Sequence, residues 1–197
     1  WNVAAQMGVA NYGQMTAGSF MYIGPQGSVH DTTIAILNAG RKISQRGEGR
    51  EGKVFIAAGL GGMSGAQPKA GNIAGCISIT AEINPKATHT RYSQGWVDEV
   101  IDDLEQLMER VQTARTRKEV VSIAYQGNVV DLWEKFAEGE IPVELGSDQT
   151  SLHNPWAGGY YPVGVTFEES NRIMAEEPDR FRELVQNSLR RHIAAIN

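Results

Sequence analysis

The chain has 197 residues, 41% of them hydrophobic and 21% charged, with a net charge of −5 at neutral pH. That length suits one domain with a sizeable core, and the acidic balance argues against nucleic acid or an anionic membrane as partner. No apolar run is long enough to span a bilayer. The single cysteine, Cys76, excludes an internal disulfide and favours a reducing, cytoplasmic setting.

Residues 1–10 open without methionine, and the expectation is a domain excised from, or inserted in, a longer chain. Residues 12–30 are rich in glycine and polar residues around a short apolar run, Phe20 to Ile23, that could form a strand. Asp31 is a candidate cap for a helix from Thr32 to about Ser44, with Ile34, Ile36, Leu37 and Ile43 as its apolar positions. A polar turn at Gln45–Gly52 precedes Val54–Ala58, a run suited to a buried parallel strand. Gly59–Gly65 interrupts it, a small-residue helix follows from about Ala66 to Ala74, and Cys76–Ile83 reads as a second strand.

A long helix is expected from about Trp96 to Thr116, because Val97, Val100, Ile101, Leu104, Leu107, Met108 and Val111 recur at helical spacing. Val120–Tyr125 reads as a third strand, Val129–Ala137 as a helix and Val143–Leu145 as a short fourth strand. Gly146–Gly164 is another glycine-rich loop. Two helices close the chain, the first with a Thr166/Glu169 capping box and the second opened by Pro178; it runs from Phe181 to Asn197 without a Gly or Pro stop. This alternation predicts an α/β fold, a doubly wound, mostly parallel Rossmann-like sheet over about residues 53–165. Flanking N- and C-terminal segments complete it, the C-terminal helices covering about 166–197.

The sharpest local signal is Gly59-Leu60-Gly61-Gly62-Met63-Ser64-Gly65 directly after a strand. Glycines there turn the chain tightly, let backbone approach a pyrophosphate and let the next helix pack closely, while the helix start offers N–H groups to phosphate. The spacing departs from G-x-G-x-x-G, since Ser64 holds the third glycine position, and such a turn without a ligand is common. Glu82 adds weight, because it ends the second predicted strand about 20 residues beyond Gly61, where a ribose finds its acceptor. A carboxylate there disfavours the extra phosphate of NADP, so the expected cofactor is NAD. The bland alternative is a solvated glutamate at a strand end.

Gly127-Asn128 and Asp148–His153 also follow predicted strands, on the rim where ligands bind in open α/β sheets. Asn128 reads equally as an ordinary left-handed turn residue, and His153 as a packing histidine. No His, Cys or carboxylate pair has metal-ligand spacing, and no G-x-S-x-G elbow occurs.

Taken together, these loops resemble the urocanase family. Tyr12–Ser19 with Tyr22–Gly27 is similar to the opening of the urocanase core, Ala58–Pro68 to its cofactor turn, and Gly127-Asn128, Asp148–His153 and Gly158–Pro162 to its later loops. Arg91 with Gln94-Gly95-Trp96, and Asn128–Trp133, look like the eukaryotic branch. The resemblance covers the whole chain, residues 1–197, as a urocanase NAD-binding core.

It implies a lyase (hydratase) that adds water to urocanate, giving imidazolonepropionate in histidine degradation. NAD⁺ would serve as an electrophile toward the substrate's imidazole and be returned unchanged, the difficult chemistry belonging to the cofactor. It implies that Gln14, Gly62, Met63, Ser64, Glu82, Asn128 and Val129 line the NAD site, together with Gln149, Thr150, Ser151, Leu152, His153, Tyr160 and Tyr161. It further implies urocanate as substrate, flanking domains of a longer chain as partners, and a homodimer.

Several positions depart from the family pattern. Ser64 stands for a common glycine, Asp31 for a glycine after Val29-His30, and Lys86-Ala87 falls where bacterial members carry an arginine. A cysteine important to the family lies in a segment absent here, and Cys76 reads as a small core residue. No catalytic residue is assigned, and the isolated chain is expected to be incomplete for turnover. The alternatives are a conventional NAD-dependent dehydrogenase, which would share the turn and Glu82, and a non-catalytic NAD-binding module.

Overall fold

A computed structural model describes residues 24–43, 49–62, 64–148 and 155–197. Its centre is a five-stranded sheet of β1 (Val54–Ala58), β2 (Ile77–Glu82), β3 (Glu99–Ile101), β4 (Val121–Gln126) and β5 (Leu145–Asp148), in the order β3-β4-β2-β1-β5. Every pairing is parallel. The helices are α1 (Gly24–Ile43), α2 (Gln67–Ala74), α3 (Pro85–Ser93), α4 (Leu104–Arg117), α5 (Val129–Glu138), α6 (Phe167–Glu176) and α7 (Pro178–Ile196).

Strands β1, β2 and β4 are apolar or small almost throughout because both their faces are covered. On one face Val54, Ile56, Ile77, Ile79 and Ile123 meet Leu107, Met108 and Val111 of α4 and Leu132 and Phe136 of α5. On the other, Phe55 and Ala57 meet Ile36 of α1 and Ala70 and Ala74 of α2. Helix α2 lies close to the sheet because Gly71 has no side chain; a Cβ there would stand 2.6 Å from the Ser78 Cβ. Cys76 is buried in this second cluster, and burial pushes its thiol up to about 11, so it stays an inert core residue at neutral pH. Val130, Tyr160, Ile173, Phe181 and Val185 form a third cluster that docks α6 and α7 against α5.

Four expectations need correction. Helix α1 begins at Gly24, so Asp31 is an exposed residue inside it rather than its cap. Gly27 lies inside the helix without ending it, and the Thr33 hydroxyl donates to the Val29 carbonyl at 2.7 Å, an i to i−4 bond compatible with helix. The strand expected at Phe20–Ile23 lies outside the described residues.

The long helix over 96–116 is two elements. Edge strand β3 pairs with β4, and α4 starts only after Asp103, whose carboxylate accepts from the Gln106 N–H at 2.7 Å. Val97, Val100 and Ile101 fit helical spacing and a short strand equally, and pairing with β4 decides between them. Helix α3 had no counterpart in the sequence reading, although Asn84 caps it and Pro85 occupies its first turn.

The last strand runs over Leu145–Asp148 instead of Val143–Leu145, because alignment with β1 sets its register from Phe55↔Leu145 to Ala58↔Asp148. Val143 packs against the core just before it. The expected capping box is half formed. Thr166 accepts from the Glu169 N–H at 3.2 Å, but the Glu169 carboxylate turns to Arg172. Pro178 does open α7 as expected.

Candidate functional site

The site begins where β1 ends. Gly59 has φ +86°, a left-handed conformation that glycine adopts without Cβ strain, and its N–H donates to the Ala81 carbonyl of β2 at 2.7 Å. The Leu60 side chain then drops into a small pocket with Val97 and Ala124 and is 1% exposed. Gly61 and Gly62 stand exposed at the top of the turn, and among the described residues, chain neighbours apart, none has an atom within 4 Å of where a Cβ would be on either. Among the described residues neither of their N–H groups donates to a backbone carbonyl. A short 3₁₀ turn, Ser64–Ala66, leads into α2.

Glu82 closes the turn from below. One carboxylate oxygen accepts from the Leu60 N–H at 2.6 Å and the other from the Asn84 N–H at 2.7 Å. Its own carbonyl accepts from the Gly127 N–H and from the Gln126 side chain. Burial raises the carboxyl's pKa above its ordinary value, and the N–H groups of Asn84, Leu60 and Ile83 oppose that shift. An ionised carboxylate has about four acceptor positions, so these N–H groups leave at least one for a ligand.

Ser64, Glu82, Asn128, Val129, Tyr160 and Tyr161 come together around one cleft of about 180 Å³, walled also by Gly59 and Gly127. That is below the ~300 Å³ at the lower end of drug-sized sites. Gly62 sits outside the cleft, exposed on the turn. Gln14, Met63, Gln149, Thr150, Ser151, Leu152 and His153 lie outside the described residues.

Three of the cleft residues are already engaged. Asn128 is not in a left-handed turn; its backbone is extended (φ −82°) and it caps α5, accepting from the Val130 N–H at 2.9 Å. Its amide nitrogen donates to the Tyr161 carbonyl at 3.0 Å, which tethers the Gly158–Tyr161 segment to the end of β4. Tyr160 is buried, and its hydroxyl meets His192 Nδ1 of α7 at 3.2 Å. The Tyr161 hydroxyl donates to Asn171 at 3.0 Å. Desolvation, with the nearby Glu82 charge, raises the pKa of that phenol.

Arg91 of α3 escaped the sequence reading as a site residue. Its Nε donates to the Leu60 carbonyl at 3.0 Å and its Nη2 to the Gly61 carbonyl at 2.8 Å, so its guanidinium holds the back of the glycine turn. Burial lowers its pKa, which leaves it a cation at any ordinary pH. The signal that could have found it is Asn84-Pro85, a helix start that places Arg91 on a helix directly after β2. Among the described residues no group of His, Cys, Asp and Glu could hold a metal ion, and no helix is long and apolar enough to cross a membrane.

A family model described as the urocanase Rossmann-like domain matches residues 24–197. Over 97% of its length the chain is 60% identical to a probable urocanate hydratase of Caenorhabditis elegans and 55% identical to the urocanate hydratase of Mus musculus. Over 94% it is 36% identical to a probable urocanate hydratase of Halobacterium salinarum. The chain spans only 28%, 29% and 31% of the lengths of these three relatives.

Proposed function

Since the chain belongs to the urocanase Rossmann-like domain family, we propose that it is the NAD-binding core of a urocanate hydratase, the lyase that adds water to urocanate to give imidazolonepropionate in histidine degradation. The observation that carries this reading is the Glu82 carboxylate at the foot of the cleft, one strand away from the exposed glycines Gly61 and Gly62. When bound, NAD⁺ supplies an electron-poor nicotinamide ring that activates the imidazole of the substrate and is regenerated.

This chain's own residues bind and orient. Gly61 and Gly62 are exposed, carry open space where a side chain would stand, and among the described residues their N–H groups donate to no backbone carbonyl, which suits a pyrophosphate approaching the backbone. Glu82 keeps acceptor capacity for the ribose hydroxyls, and its charge would repel the additional phosphate of NADP. Ser64, Asn128, Val129, Tyr160 and Tyr161 wall the same cleft as Glu82. Gln14, Met63, Gln149, Thr150, Ser151, Leu152 and His153 complete the NAD site in this proposal.

The whole enzyme in this reading is a cytoplasmic homodimer, and chain beyond these 197 residues contributes urocanate contacts. A share of less than a third of the relatives' length supports that division. The test has two halves. Calorimetry on the isolated chain should show NAD⁺ binding, with no loss of urocanate absorbance. The full-length protein should consume urocanate without accumulating NADH absorbance. Substrate-dependent NADH would point to a dehydrogenase, and urocanate left intact by the full-length protein to a non-catalytic module. Full turnover by the isolated chain would refute the division of labour.

A further inference from the structure

Building on the cofactor reading, we infer that Arg91 is a positioning residue for the pyrophosphate. From α3 it fixes the two peptide planes whose N–H groups face the phosphates, and it does so through their carbonyl oxygens. In a trans peptide the C=O and the N–H point in opposite directions. Holding the Leu60 carbonyl at 3.0 Å therefore sets the Gly61 N–H, and holding the Gly61 carbonyl at 2.8 Å sets the Gly62 N–H. Peptides flanked by glycine otherwise rotate at little cost.

The guanidinium is itself held firmly. Its third nitrogen donates to Gln94 Oε1 at 2.8 Å, and its centre lies 5.5 Å from the Trp96 ring. It also lies tight against the 3₁₀ turn, since a Cβ on Gly65 would be 2.2 Å from Arg91 Nε. The Gly61 carbonyl accepts from the Gly65 N–H at 3.0 Å as well, so guanidinium, 3₁₀ turn and glycine turn form one unit. The positive charge behind the carbonyls polarises the peptides and strengthens their N–H groups as donors. Spanning two carbonyls requires a planar fork; a lysine is a point charge and would satisfy one.

This role separates Arg91 from a group that merely adds positive charge. Arg91→Lys retains the charge and loses the fork. The dissociation constants of ADP and of adenosine would be measured for the wild-type chain and R91K, with far-UV circular dichroism to confirm folding. ADP affinity should fall roughly tenfold to a hundredfold, the effect of losing a charge-assisted pair of hydrogen bonds, while adenosine affinity stays within about twofold. The amide resonances of Gly61 and Gly62 should shift in unliganded R91K.

Gln94→Ala is a milder second variant that keeps the guanidinium and frees its third nitrogen. It should weaken ADP binding by about threefold and leave adenosine unaffected. Unchanged ADP affinity in both variants, or equal losses for ADP and adenosine, would overturn the inference. A wild-type chain that binds neither ADP nor NAD⁺ would bring down the cofactor reading and this inference with it, a result distinct from wild-type binding that the variants leave intact.

Discussion

Glu82 and Arg91 grip opposite ends of one residue: the carboxylate takes the Leu60 N–H at 2.6 Å, and the guanidinium donates to the Leu60 carbonyl at 3.0 Å. The Leu60 side chain is buried between Val97 and Ala124, so the residue is fixed at three points. A rigid Leu60 presents Gly61 and Gly62 to solvent in one orientation, and preorganised donors of this kind lose little freedom when an anion arrives.

Glu82→Gln removes the charge and turns one of the two acceptors into a donor facing a backbone N–H. NAD⁺ affinity should drop by roughly tenfold to a hundredfold, and the preference for NAD⁺ over NADP⁺ should narrow. Calorimetric titration of both dinucleotides checks this. An unaltered preference would show that Glu82 does not read the ribose.

The pH dependence of binding follows from the same carboxyl, whose pKa burial raises above its ordinary value of 4.5. The native state holds this proton more tightly than the unfolded chain does. Its contribution to stability is therefore fully present below the unfolded value and lost as pH rises through the folded one. Ligand affinity runs the other way: the ionised acceptor disappears as pH falls through the raised pKa. NAD⁺ binding should thus weaken on the acid side at a higher pH than an ordinary glutamate would impose, and E82Q should abolish that acid limb.

Asn128 performs two tasks that substitution can separate. Asn128→Ala loses the α5 cap and the tether to Tyr161, and should cost about 1–2 kcal/mol in urea denaturation. Asn128→Asp preserves the cap and sets a carboxylate against the Tyr161 carbonyl. It should retain most of the stability and still lose cofactor affinity. Unimpaired cofactor affinity in Asn128→Asp would show that the tether contributes nothing of its own.

Gly71→Ala should destabilise the fold by about 1–3 kcal/mol, because the new methyl stands 2.6 Å from Ser78 Cβ and 3.4 Å from a Phe55 ring carbon. Adding Ser78→Gly removes the nearer obstacle. The double variant should recover part of the loss, beyond the sum of the two single effects. Additive losses would mean that the clash is relieved elsewhere.

Most of what the sequence announced is locally encoded. Val54–Ala58 followed by the glycine turn, and an acid near the end of the next strand, obey constraints acting within a few residues: a buried strand is apolar on both faces, and a left-handed turn favours glycine. The cap at Thr166 and the proline opening α7 are of the same kind. The misread stretches lacked such exclusivity. Val97, Val100 and Ile101 satisfy a helical and a strand period together, and Asp31 resembles a cap wherever it stands.

The primary structure thus specified the α/β class, the glycine turn, the place of Glu82 at a strand end and the family through short-range chemistry that any context would preserve. Only the folded arrangement decided that β5 lies beside β1, that residues 99–101 pair with β4, and that Arg91 reaches back 31 residues to the carbonyl of Leu60. Strand order and side-chain reach are pairwise matters between distant segments. Their energies depend on which partner is present, and a single segment carries no record of its partner.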